Sequence, residues 1–469
     1  MEEKRNFKMP HLLWIMVGLI LISCFATYIV SAGKFSVNDF GIIMGDKFEF
    51  LDHQTPVSPW KAFNLIRSGL IGSATIIFVV MVSGANINVV LETGAIDDFM
   101  NWSIYRMRNH KSKNILISLL FILMAYLGGF GGTDALIAVV PIGILFAKKL
   151  KLDPIVALGV TTFATLIGFG TGPAQQATTQ MLMGIAPYSS FFTRFICMNF
   201  FIAVGIIMVL LYVKKIEKNP KSSLMYDEGW RPEKLEDDSN ETSILKEVKM
   251  SWRTIVVIAV FFCQYLLIVA YPLLGGDPKQ LYDFMMAVMF ISMIIIGFVG
   301  KMTPEELGKS FAKGLSSMAF VGFVIGLARV ISLILADGNI IHTIVYVLTR
   351  PLLELPKTVS SIGLTIIVAL MNPLIPSATS KAAILVPIIK PVAETLGLNL
   401  NIAVMAFQLG DGFTNLISPL LGWMIGSCVL ANVSFQKWFK WTFPKVIIFL
   451  LLSFVWIYVL TIMGWTGRI

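Results

Sequence analysis

Gly128-Gly129-Phe130-Gly131-Gly132-Thr133-Asp134, followed forty residues on by Gly168-Phe169-Gly170-Thr171-Gly172-Pro173, interrupts an otherwise apolar stretch of the chain twice. The stretch that holds both, Tyr126 to Phe192, occurs twice. A shift of 246 places carries Thr133 onto Thr379, Val140-Pro141-Ile142 onto Val386-Pro387-Ile388, Ala147 onto Ala393, Leu150 and Leu152 onto Leu396 and Leu398, Ala157 onto Ala403 and Pro173 onto Pro419, without a gap. Each copy is a Gly/Ser/Thr/Pro-rich knot, a short apolar limb, a polar turn, a longer apolar run and a second broken knot. Two copies of an interrupted apolar unit point to a transporter built from internal repeats.

Composition sets the solvent. The chain has 469 residues, 56% hydrophobic and 14% charged, which excludes an ordinary soluble globule. Apolar runs near 12–32, 69–91, 193–213, 252–272, 282–300, 314–336 and 443–464 are long enough to cross a bilayer, which takes about 20 residues. The net charge of +9 reads as topology rather than as a nucleic-acid surface. With the N-terminus in the cytoplasm, cytoplasmic segments hold 25 Lys and Arg against 9 outside, while Arg194, Arg329 and Lys381 lie at or inside apolar segments. Cys24, Cys197, Cys263 and Cys428 lie in apolar spans without metal-type spacing, and the histidines do not cluster, which argues against a disulfide framework or a metal centre.

The knots define local geometry. Asn114–Leu127 and Asp134–Ala147 are apolar limbs of 14 residues each. At 1.5 Å per residue each covers roughly 21 Å, less than the ~30 Å hydrocarbon core. Lys113 precedes them and Lys148, Lys149 and Lys151 follow, so both ends are expected on one side, as a re-entrant hairpin with its tip at 128–134. The next run is expected to break at 168–173, where freed backbone groups need protein or a polar cavity to satisfy them. The second unit has its tip at Asn372–Lys381 and its break at 410–419. An odd number of crossings between the copies makes them inverted about the membrane plane. Thr303-Pro304-Glu305-Glu306 carries a helix start and opens an amphipathic arm expected to end at Gly314.

The expected fold is an all-α polytopic membrane protein with two inverted repeats, each with a re-entrant hairpin and a broken helix. Its segments are 1–68 (first helix and external loop), 69–213 (first repeat), 214–251 (cytoplasmic linker), 252–313 (linking helices and arm) and 314–464 (second repeat). Charged side chains at membrane depth cost about 2.5–3.5 kcal/mol each and are usually functional. Asp134, Arg329, Lys381 and Asp411 are the deep candidates. The aspartates can hold an ammonium or guanidinium or carry a proton; Lys381 and Arg329 can meet a carboxylate. Gly131, Gly132, Thr133, Thr171, Gln175, Ser377, Thr379, Ser380, Thr414 and Asn415 complete the candidate substrate site, and Thr133, Gly168, Gly170, Ser377, Thr379, Gly410 and Asn415 are candidate Na⁺ ligands. There is no His-Glu-x-x-His and no Gly-x-Ser-x-Gly to support an enzyme.

Taken together, the knots resemble the YfcC-type branch of the C4-dicarboxylate anaerobic carrier family, within the ion transporter superfamily. The resemblance is carried by Pro376-Ser377, Lys381-Ala382-Ala383, Val386-Pro387-Ile388, Ala406–Asn415, Ala32-Gly33-Lys34-Phe35, Gly326-Leu327-Ala328-Arg329 and Asp337–Ile341. Ser31 stands where that family usually has Pro, Lys381 where it has Gln, and Thr133-Asp134 where a Glu-rich tip is common. The resemblance implies a dimerising scaffold domain and a transport domain that moves as an elevator, with tips at 128–134 and 376–381. It implies carriage of C4-dicarboxylates or exchange of basic amino acids across the cytoplasmic membrane, coupled to Na⁺ or H⁺ or to an opposing substrate. The leading expectation is an amino acid, the alternative a C4-dicarboxylate or other carboxylate, with no cofactor, no nucleic-acid partner and a homodimer.

Overall fold

Residues 12–37, 43–106, 110–131, 140–231, 250–277, 280–375 and 377–467 are described by a computed structural model. The chain runs α1 (Leu12–Ile29), the antiparallel strands β1 (Gly33–Val37) and β2 (Ile43–Phe50), α2 (Pro59–Gly72), α3 (Ala74–Glu92), α4 (Ala95–Arg106) and α5 (His110–Gly131). Then come α6 (Val140–Lys149), α7 (Pro154–Leu158), a π-helical turn at Gly159–Phe163, α8 (Ala164–Thr171), α9 (Ala177–Leu182), α10 (Phe191–Lys218), α11 (Trp252–Leu273) and α12 (Leu281–Val299). The remainder is α13 (Pro304–Asp337), α14 (Ile341–Thr349), α15 (Lys357–Met371), α16 (Ala378–Thr395), α17 (Leu400–Thr414), α18 (Gly422–Leu430) and α19 (Phe435–Ile462). Among the described residues, eight helices are long and apolar enough to cross a membrane.

Element bounds follow the sequence shift. Moved by 246 places, the end of α6 falls on the end of α16, the start of α7 on the start of α17, and α9 within α18. The helices sort into two packing groups. One holds α1, α2, α3, α11, α12 and α13; the other holds α5, α8, α10, α15, α17 and α19, with α16 against α9 and α17. The helix from Pro154 to Thr171 is 89% buried and forms the axis of the second group.

Several glycines expected to break or end helices instead lie inside them, and the reason is close approach. The arm from Thr303 does not stop at Gly314: α13 continues for 34 residues, because a Cβ at Gly314 would sit 2.5 Å from the Gly84 carbonyl oxygen of α3. Its start is as expected, with Thr303 Oγ1 accepting from Glu306 N at 3.2 Å and Glu306 Oε2 accepting from Thr303 N at 2.8 Å. Likewise α5 is not a 14-residue limb ending at Leu127 but a 22-residue helix through Gly131, long enough by itself to span. A Cβ at Gly128 would lie 2.0 Å from the Thr165 carbonyl oxygen, and one at Gly168 would lie 1.7 Å from that of Ala125. The glycines let α5 and α8 touch backbone to backbone. The connection that follows α5, including Gly132, Thr133 and Asp134, lies outside the described residues.

Two further differences concern the outer segments. The run at 69–91 is divided at Ser73 between α2 and α3. The loop after α1 contains the β1–β2 hairpin, whose Phe48 stacks on Tyr346 of α14 with centroids 4.1 Å apart.

Candidate functional site

The second unit is built around Asn372, Lys381 and Asp411. Asn372 closes α15, Lys381 lies in the first turn of α16, and Asp411 lies in the last turn of α17; all three are fully buried. Ser377 starts α16 as its N-cap, its Oγ accepting from Ser380 N at 3.3 Å, and this places Lys381 one turn inside. Lys381 Nζ donates to Asn372 Oδ1 and to Asp411 Oδ1, an ion pair sealed from solvent. Asn372 Nδ2 reaches Thr414 Oγ1 at 2.7 Å, Asn415 Oδ1 at 2.8 Å and the Asp411 carbonyl oxygen at 3.2 Å. One amide thus ties the tip of the second unit to the end of its long helix. In this arrangement Lys381 is engaged by Asp411 and Asn372.

The break in the second unit begins later than 410. Gly410 and Gly412 are inside α17; a 3₁₀ turn covers Asn415–Ile417, and Ser418–Leu421 is non-helical before α18. This buried turn is held by Trp438, whose Nε1 donates to the Leu416 carbonyl oxygen at 2.9 Å. In the first unit, Gly168, Gly170 and Thr171 belong to α8, and the non-helical segment is 172–176. Gly168 O accepts from Gly172 N at 2.6 Å and Gly410 O from Thr414 Oγ1 at 2.7 Å, so both carbonyls are engaged. Thr171 Oγ1 donates back to Ile167 O at 2.6 Å.

The two long helices cross where these glycines meet. A Cβ on Gly412 would lie 1.9 Å from Gly170 Cα, so only glycine permits the contact. Gln408, one turn before Gly412, extends the junction: its Nε2 donates to the Phe169 and Gly172 carbonyl oxygens at 3.2 and 2.7 Å. Its Oε1 accepts from Arg194 Nη1 at 2.7 Å. The α8 carbonyls without helical donors are therefore met by an amide from the other half of the chain.

The structure brings Asp411, Lys381, Thr414 and Asn415 together and places Thr171 near the α8–α17 crossing. Gln175 is half-buried in the first break, Thr379 is exposed and Ser380 half-buried in the first turn of α16. Arg329 stands apart, half-buried on α13 beside the end of α2. Its helix nevertheless touches the second unit on both sides. Ile325 packs on Gly422 at the start of α18, and Ser332 Oγ donates to the Leu374 carbonyl oxygen at 3.1 Å. Three residues that organise the site, Asn372, Gln408 and Arg194, were not among the sequence candidates. Gln408 lies inside the Ala406–Asn415 signature, and Arg194 is the one charged residue of the apolar run at 193–213, which is the signal that marks it.

Eight helices apolar and long enough to cross a membrane, with a buried ion pair where two interrupted helices cross, fit a multi-pass membrane transporter, and the family match agrees with that class. The family model described as C4-dicarboxylate anaerobic carrier matches residues 9–462, and the chain belongs to that family. It is 24% identical to an Escherichia coli K12 protein named "Putative basic amino acid antiporter YfcC", over 94% of both chains. It is also 24% identical to an uncharacterised protein of Haemophilus influenzae, over 81% of this chain and 74% of the other. Among solved structures it is similar to the Alcanivorax borkumensis YdaH transporter, at 15% identity and TM-score 0.44 over 98% of this chain and 100% of that one. It is similar too to Neisseria gonorrhoeae MtrF, at 15% identity and TM-score 0.46 over 97% of this chain and 95% of that one.

Proposed function

We propose that the protein is a secondary carrier that moves a small charged metabolite, an amino acid in the first place, across the cytoplasmic membrane by exchange or uptake. The observation that carries this reading is the crossing at Gly170 and Gly412, where both broken helices and the Lys381–Asp411–Asn372 group converge. The name of the Escherichia coli relative supports a basic amino acid. Asp134 is then the group that meets the cationic end of the substrate or carries a proton. Thr171, Gln175, Ser377, Thr379, Ser380, Thr414 and Asn415 supply polar contacts, and carbonyls of the second break are Na⁺ ligands.

One observation favours a C4-dicarboxylate as the second reading. Asp411 is already neutralised by Lys381, while Arg194 and Arg329 have no carboxylate within ion-pair distance among the described residues. The two packing groups support an elevator in which the α5–α10 and α15–α19 group moves against a dimerising scaffold of α1–α3 and α11–α13. Inversion of the two units and an N-terminus in the cytoplasm complete this reading.

The test is a ligand panel of arginine, ornithine, neutral amino acids, succinate and short-chain acids, read by thermal shift in detergent and then by counterflow in proteoliposomes. Saturable flux accelerated by substrate on the opposite side is expected. Flux far above carrier rates and indifferent to the opposing substrate would overturn the reading. Asp134→Asn is expected to abolish counterflow while the protein stays folded, and near-normal transport would remove Asp134 from the site.

A further inference from the structure

Arg194 lies near the start of α10 and is fully buried, yet its charge has no carboxylate partner among the described residues. Nη1 is used, donating to Gln408, and Gln408 in turn is held by the Phe169 and Gly172 carbonyls at the end of α8. The partial negative charge at that helix end favours a cation nearby. Nε and Nη2 have no hydrogen-bond partner among the described residues.

Which donors are free is informative. A guanidinium is planar, and its Nε–H and the adjacent Nη2–H project in parallel from one edge, spaced to meet the two oxygens of a carboxylate. Gln408 takes the nitrogen outside that edge and fixes the plane of the group. Burying such an edge unfilled leaves two donors and a charge desolvated. Lys381 offers no equivalent, because Asp411 already occupies it.

We propose that the Nε–Nη2 edge of Arg194 is a carboxylate-binding subsite, filled by a carboxylate of the transported molecule. Gln408 is its positioning residue, holding the guanidinium at the seam between the two halves of the chain. This rests on the carrier reading above and names the residue that fixes the anionic end of the substrate, whether amino acid or dicarboxylate.

The test uses the full chain purified in detergent. Melting is followed against sodium acetate, L-arginine and succinate, each paired with its carboxylate-free counterpart, acetamide, agmatine and succinamide, in the parent protein, Arg194→Gln and Arg194→Lys. Expected is stabilisation of the parent by at least one carboxylate and not by its counterpart, and loss of that response in Arg194→Gln. Arg194→Lys should weaken it by about tenfold or more, since an ammonium cannot present a parallel pair of donors. Ligand-free Arg194→Gln should melt no lower than the parent, because an uncompensated charge has been removed. A parent protein that does not distinguish any carboxylate from its counterpart, or an Arg194→Gln protein that responds like the parent, would overturn the subsite. So would lowered ligand-free melting in both variants with unchanged ligand affinity, which marks a structural role. Counterflow separates the two claims. A parent that shows the carboxylate response but no flux sinks the carrier reading alone, whereas saturable flux with unchanged KM in Arg194→Gln sinks the subsite alone.

Discussion

Replacing Lys381 by Met removes the only countercharge that the described residues offer Asp411, and the consequence is large. Both side chains are fully buried, and among the described residues Asp411 Oδ2 lacks a hydrogen-bond partner and no second cation stands by to take over. Leaving one member of a buried pair uncompensated costs about 3–5 kcal/mol. Asn372 adds to this, because its Oδ1 loses the lysine donor while its Nδ2 stays bound to Thr414 and Asn415. Asp411→Asn should cost less than Lys381→Met, since Asn372 can still accept from Lys381. The double substitution Lys381→Met/Asp411→Leu removes both charges, and a buried pair replaced by apolar groups of similar volume is often neutral or stabilising by 1–4 kcal/mol, so its cost should be about zero. The assay is a double-mutant cycle on unfolding free energy in mixed micelles, completed by Asp411→Leu, with a coupling above about 2 kcal/mol expected. Single substitutions costing under about 1 kcal/mol each, or a double variant as unstable as the sum of the singles, would refute the reading of Lys381 and Asp411 as a closed pair.

Gly412→Ala should separate α8 and α17, because the added methyl would lie 1.9 Å from Gly170 Cα and meets backbone rather than a flexible side chain. A loss of about 1–3 kcal/mol in unfolding free energy is expected, and an unchanged value would refute the crossing. His342 accepts from Phe35 N at 3.3 Å through Nδ1, and burial holds its imidazole below the ordinary range. The folded protein therefore binds fewer protons here than the unfolded chain, so the stability His342 contributes is present above about pH 6.5 and lost as pH falls through its lowered folded value. Limited proteolysis should show the β1–β2 hairpin loosening on acidification in the parent and less so in His342→Asn; equal loosening refutes the assignment. Cysteine labelling at Lys111 and Lys357 should report opposite sides of the membrane, and same-side labelling would overturn the inverted topology.

Much of the architecture was legible because bilayer solvent imposes long apolar runs, and α10, α11, α12 and α19 fall close to where composition places them. The glycine-rich knots were harder. A residue without a Cβ serves equally to break a helix and to let two helices touch, and the sequence of one segment does not contain its partner. At Gly128, Gly168, Gly314 and Gly412 the second use prevails, which moved both breaks toward the C-terminus and lengthened α5 and α13. The pairing of Lys381 with Asp411, thirty residues apart, was open to sequence reasoning only as two separate deep charges. Arg194 was visible as a cation in an apolar run, but its bond to Gln408 spans 214 positions and emerges only when the halves are folded together.

Counterflow in proteoliposomes decides whether the protein is a carrier: it is reconstituted with unlabelled L-arginine or succinate inside, and uptake of the same labelled compound is followed from outside. Saturable uptake of at least one of the two is expected, collapsing when the internal pool is omitted and lost in Asp134→Asn and Arg194→Gln. Uptake that rises without saturation, or persists unchanged in both variants, would contradict it.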